Sequence, residues 1–87
     1  MQYEWDEHKR ATNLEKHGID FVDAVWFDWA TAKVVPDERK DYGEGRFNAY
    51  GYINGRLMVM SFSMRSGVVR IISLRKANRR EAIRYGD

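Results

Sequence analysis

RFNAYGYINGRLMVMSFSMR, residues 46–65, decides the fold. Two alternating runs flank Asn54-Gly55, the dipeptide best able to take positive φ at both central positions of a type I′ turn. Two antiparallel strands are therefore expected, Arg46 to Ile53 and Arg56 to Arg65. Alternation sorts their faces. Phe47, Ala49, Gly51 and Ile53 share one side of the first strand, and Met58, Met60, Phe62 and Met64 share one side of the second. These sets are expected to meet the helices. The opposite sides show Arg46, Asn48, Tyr50 and Tyr52, then Leu57, Val59, Ser61, Ser63 and Arg65.

Downstream, Ser66-Gly67 is a second turn and leads into a third strand, Val68 to Arg75, which completes a meander. Ile71, Ser73 and Arg75 share one face of it, and Arg70, Ile72 and Leu74 share the other. Register decides which face is core. Ile72 and Leu74 have the character of core, which would place Ser73 and Arg75 with Arg46 and Arg65. Asn78 and Glu81 then form a capping box that opens a helix over about Arg79 to Tyr85. Ala82 and Ile83 would dock it, leaving Arg79, Arg80 and Arg84 in water.

Upstream, Tyr3-Glu4-Trp5 alternates as a short strand. Asp6 is suited to cap a helix from Glu7 to His17, and Gly18 to end it in the left-handed region. Asp20 is expected to cap a second helix ending near Ala30-Thr31. Its Phe21, Val22, Val25, Trp26 and Trp29 recur at helical spacing and should pack on the sheet. Lys33-Val34-Val35 is a short strand that Pro36 ends or confines to an edge. Residues 37–45 are polar and carry Gly43 and Gly45, as a surface loop does. The order is β-α-α-β-β-β-β-α: an α+β domain with helices packed on one face of a mainly antiparallel sheet and a polar, basic face opposite.

Eighty-seven residues make one domain, here spanning 1–87, with a single small core. No cysteine is present, so disulfides and thiolate metal sites are excluded. His8 and His17 are too few for a histidine metal site unless carboxylates complete it. No apolar run approaches the length of a membrane span, so a cytoplasmic protein away from membranes is expected. The net charge of +2 hides an asymmetry: residues 1–45 carry a net −5 and residues 46–87 a net +7. Either the basic half meets an anionic partner such as nucleic acid, or the two halves neutralise each other inside the fold.

No phosphate loop, His-Glu-x-x-His motif or nucleophile elbow is present. The basic face still has a plausible task. RNA cleaves itself when a 2′-hydroxyl attacks the adjacent phosphate, and a protein need only position the strand, stabilise the phosphorane oxygens and move protons. Arginine suits the second role, since its planar fork pairs with phosphate and stays charged. Arg46, Arg65 and Arg75 are the candidates, with Ser63 and Ser73 as nearby donors. For proton transfer, His17 titrates near neutrality but also fits a plain last-turn residue. Glu44 is either a base or an ion-pair partner of an arginine. Tyr50, Tyr52 and Tyr85 can stack on a base, and Tyr85 can equally cover the packing surface of the last helix.

The spacing of these residues resembles the BrnT family of bacterial type II toxins over almost the whole chain. The resemblance rests on Trp5-Asp6 with Lys9, Asn13 and Lys16-His17-Gly18, and on a helix opening with Phe21. It continues through Glu44-Gly45-Arg46-Phe47, Gly51 and Ser63-x-Arg65. It ends with Arg70-Ile71-Ile72-Ser73-x-Arg75-Lys76-Ala77, Arg80-Glu81 and Tyr85. Gly45 stands where the family often has a second Glu, and Ser63 where it often has Thr. The resemblance implies a RelE-like fold and a ribonuclease that stops translation without a metal or other cofactor. It also implies a BrnA-like ribbon-helix-helix antitoxin, a hetero-oligomer with it, and DNA contact only through it. The expected catalytic set is Arg46, Arg65, Arg75, His17 and Glu44. Lys9, Lys33, Arg70, Ser73 and Tyr85 are the expected RNA-binding residues. ParE-like relatives act on gyrase instead of RNA, so a non-catalytic binding module using the same face stands as the alternative.

Overall fold

A computed structural model describes residues 1–39 and 43–87. The elements are β1 (Tyr3–Trp5), α1 (Glu7–His17), a 3-10 helix (Phe21–Trp26), β2 (Lys33–Pro36), β3 (Phe47–Ile53), β4 (Arg56–Arg65), β5 (Val68–Lys76) and α2 (Arg79–Tyr85). The strands form one mixed sheet in the order β1-β5-β4-β3-β2. β3, β4 and β5 are the expected antiparallel meander. β1 pairs parallel with β5 at one edge, and β2 closes the other. Both hairpin turns take the primed geometry their residues favour, with φ of 48° and 78° at Asn54 and Gly55 and 50° and 78° at Ser66 and Gly67.

The core face is Ala49, Ile53, Met58, Met60, Phe62, Val69, Ile71 and Leu74, covered by Phe21, Ala24 and Phe27. Each large side chain so buried contributes about 1.5–3 kcal/mol. Gly51 is needed here, because a Cβ on it would lie 2.5 Å from the Phe27 ring.

Several details differ from the sequence-based expectation. The second helix is a six-residue 3-10 helix that ends at Trp26. Phe21 and Trp29 pack on the core, but Val22, Val25 and Trp26 point to water. A 3-10 helix repeats every three residues, so Phe21, Ala24 and Phe27 fall on the buried side and the residues between them do not. The helices also do not share one face of the sheet. α2 lies over the polar face: Tyr85 stacks on Tyr50 with ring centroids 3.8 Å apart, Glu81 grips Arg75, and the Asp87 N–H donates to the Tyr52 hydroxyl. Ala82 and Ile83 do not dock it, and Ile83 is 75% exposed. The loop expected over residues 37–45 falls partly outside the described residues. Of its described part, Asp37 is buried rather than on the surface.

A further difference concerns β5. Phe62 pairs with Ile71 and Ser61 with Ser73, so Ile72 is an extra residue without a partner on β4. This bulge changes the alternation. Ile71 and Leu74 both reach the core, and Arg70, Ser73 and Arg75 all fall on the polar face, where simple alternation had separated Arg70 from the other two.

α1 begins at Asp6, whose carboxylate accepts from the His8 and Lys9 N–H groups at 2.8 and 3.2 Å. It ends at Gly18, with φ of 70°. Its only buried residue is Asn13. The Asn13 amide donates to the Leu74 and Ile19 carbonyls and accepts from the Leu74 N–H. β1 pairs with β5 only as far as Ile71. One side chain of α1 thus continues the edge pairing where the strand stops, and fixes the helix against β5.

Candidate functional site

Register places the polar face in rows. Nearest the Ser66-Gly67 turn, Ser63 pairs with Arg70, and Arg70 with Glu4 of β1. The next row is Val35, Asn48, Ser61 and Ser73, and the next Lys33, Tyr50, Val59 and Arg75. α2 covers the Tyr50–Arg75 end. Between it, the end of α1 and the segment 36–39 lies an open cleft of about 470 Å³. Lys16, His17, Asn48, Tyr50, Ser61, Ser73, Arg75 and Glu81 face it, together with Asp37 and Arg39.

Four residues separate Asn13 from His17, so both lie on one face of α1. The bonds of Asn13 to Leu74 hold that face beside the strand that carries Ser73 and Arg75. The result is an imidazole and a guanidinium in one cleft. Burial, then the charges of Lys16 and Arg75, push the His17 imidazole below its ordinary value. This favours the neutral imidazole, the form that can accept a proton.

Arg75 is held by a two-pronged ion pair with Glu81, at 2.7 and 2.8 Å. Glu81 is itself fixed by the capping box with Asn78. The pairing holds the Glu81 carboxyl below the usual carboxylate range and raises Arg75, so both stay charged. Arg75 also donates to the Lys76 carbonyl at 3.3 Å. Of its five N–H bonds, two remain for a ligand. Between the two ends of the cleft, the Ser61 hydroxyl donates to the Asn48 side-chain oxygen at 2.6 Å.

The residues singled out from sequence separate into groups. His17, Ser73 and Arg75 come together in the cleft, and Tyr85 stands beside it against Tyr50. Arg46 accepts from the Asp37 N–H at 2.8 Å through its carbonyl and its charge acts on the Asp37 carboxylate, whereas Arg65, Arg70 and Glu44 collect at the opposite end of the face. There Glu44 pairs with Arg65 at 3.4 Å, and Arg70 with Glu4 at 3.7 Å. The Ser63 hydroxyl is buried there without a hydrogen-bond partner. Lys33 donates to the Tyr85 carbonyl at 2.7 Å and pairs with Asp87, so it fastens the end of α2. Lys9, one turn before Asn13 on the same face of α1, lines a groove that adjoins the cleft.

Sequence reading missed Asp37, Asn48, Ser61 and Glu81 as site residues. Asn48 and Ser61 were legible as cross-strand neighbours on the polar face. Glu81 was seen as a cap, but its second partner, Arg75, needs the placement of α2. Asp37 is buried by its fold-back onto Arg39, at 2.9 and 2.8 Å, and this pairing depresses its carboxyl. No group of three or more His, Asp or Glu side chains converges among the described residues in a way that would hold a metal.

An imidazole from α1 faces a clamped guanidinium, hydroxyls and an amide on the open sheet face, a set able to hold and polarise an anionic group. A model of the BrnT family, described as the ribonuclease toxin of a type II toxin–antitoxin system, matches residues 5–81, and the chain belongs to that family. Membership implies an RNA target and an antitoxin partner. A search of the curated proteins found no match. No helix among the described residues is long and apolar enough to cross a membrane.

Proposed function

We propose that this protein is a metal-independent endoribonuclease that stops translation by cutting RNA in the cleft between α1, the polar sheet face and α2. The observation that carries this reading is the placement of His17 in one cleft with the fixed Arg75 fork. In the proposed step His17 accepts the proton of a 2′-hydroxyl. The 2′-oxygen bonds to phosphorus, and the bond to the 5′-oxygen breaks as that oxygen takes up a proton from solvent. Arg75 and the Ser73 hydroxyl stabilise the charge on the phosphorane oxygens. Arg46, Arg65 and Arg70 hold the strand further along the face, with Glu44 as the partner of Arg65. The reading includes a RelE-like fold and a BrnA-like ribbon-helix-helix antitoxin that carries the DNA contact and blocks the toxin in the cytoplasm.

Incubation with a defined RNA in EDTA tests the reading. The expected products end in a 2′,3′-cyclic phosphate and a 5′-hydroxyl. His17→Ala should slow cleavage by about 10²–10⁴-fold, and Arg75→Lys should slow it while keeping a charge opposite Glu81. A second reading, a non-catalytic binding module, draws on the engagement of Arg65, Arg70 and Arg75 with carboxylates. Absence of cleavage with and without ribosomes, from protein that is folded and binds RNA, would favour it over the enzyme.

A further inference from the structure

Beside the cleft, on the far side of Lys16, His17 and Ser73, a second groove of about 310 Å³ runs between α1 and β5. It is lined by His8, Lys9, Thr12 and Ile72 together with those three shared residues and Asn13. Its origin is the bulge. Ile72, the residue without a partner on β4, forms part of the groove wall. β1 has stopped pairing by this point, so the groove stays open beside the Asn13 contact.

Its charge differs from that of the rest of the polar face. Arg39, Arg65, Arg70 and Arg75 each pair with a carboxylate. Lys9 and Lys16 form no ion pair among the described residues; the Asp6 carboxylate acts on Lys9 only from beyond ion-pair distance. An apolar wall of limited width, flanked by two lysines outside any ion pair and continuous with the proposed cleavage cleft, matches a nucleotide in chemistry. A nucleotide held there would set its base on Ile72 and its phosphate toward Lys9 and Lys16.

Resting on the ribonuclease reading, we infer that this groove is a nucleotide subsite, holding the base and phosphate of a residue next to the scissile phosphodiester of single-stranded RNA. The strand crosses the ridge formed by Lys16, His17 and Ser73. The substrate is therefore longer than the dinucleotide that the chemistry alone requires.

Binding of all-2′-deoxy oligonucleotides of two, three and four residues tests this without cleavage, read by anisotropy and by the Ile72 methyl signals in NMR. The expected result is a rise in affinity when one nucleotide is added beyond two, with movement of the Ile72 methyls. Lys9→Gln should remove about tenfold of that rise and flatten the salt slope by about 0.7, the share of one phosphate on a single strand. Lys9→Arg should restore it. Lys9 is exposed, so the variant folds; Ile72→Ala supplies an independent loss of the same increment. Equal increments in wild type and Lys9→Gln, or unmoved Ile72 methyls, would overturn the subsite. So would a polyglutamate peptide that moves those methyls as far as the oligonucleotide does, because the groove would then be a protein contact. If the increment appears but no RNA is ever cut, the subsite stands as a binding feature and the ribonuclease reading falls. Cleavage with no increment has the opposite meaning.

Discussion

On the core face of the sheet, Ala49, Met60 and Leu74 are fully buried beneath Phe21 and Ala24. On the polar face, the same strands present Asn48, Ser61, Ser73 and Arg75 to an open cleft. The core face is organised by area. Each side chain is there because water is a worse neighbour, and several apolar residues of the right size would serve. The polar face is organised by partners. Arg75 has its place because Glu81 holds it, Glu81 because Asn78 does, and His17 because Asn13 ties α1 to Leu74. Area tolerates exchange, whereas a chain of specific partners does not.

That contrast can be broken by removing one link of each kind. Asn13→Ala should have the largest effect. It leaves the Leu74 N–H and two carbonyls without their side-chain partner in a buried setting, at a cost of about 2–4 kcal/mol. Urea unfolding should show the loss as a shift in midpoint. The His17 signal should also move back toward an ordinary imidazole titration as α1 loosens from Arg75. At the other extreme, Trp26→Ser should change stability by less than about 0.5 kcal/mol. Trp26 is 65% exposed and lies outside the core cluster, despite its size. A cost of several kcal/mol there, measured in the same urea series, would mean that the 3-10 helix contributes to the core through residues other than Phe21 and Ala24.

The sequence announced most of the first kind of order and less of the second. The Asn54-Gly55 hairpin, the Asp6 cap, the Gly18 stop and the Asn78–Glu81 box are local, and each was readable because its cause lies within four residues. The apolar alternation of β3 and β4 was readable for the same reason. The bulge at Ile72 was not, because it exists only as a mismatch between β5 and β4, and no residue of β5 alone demands it. The side of the sheet taken by α2 was not legible either. That helix leaves its aliphatic residues Ala82 and Ile83 in water and is docked by Tyr85, Glu81 and its last backbone groups. The 3-10 helix misled because Val22, Val25 and Trp26 fit an α-helical stripe, while the short segment capped by Asp20 winds more tightly. His17 and Arg75 were both picked out, but their meeting depends on Asn13, whose role needs Leu74, 61 residues away.

Whether His17 acts as a base beside Arg75 is tested by a pH profile of single-turnover RNA cleavage in EDTA. A base works in its neutral form, so the rate should fall as pH drops through the His17 value. Burial and the neighbouring cations lower that value, so the acid limb should lie below the ordinary imidazole pKa of about 6.5, with a plateau at neutral pH. His17→Ala should lose that limb along with most of the rate. A wild-type profile without an acid limb in this range, or a folded His17→Ala protein that cuts as fast as wild type, would contradict the account.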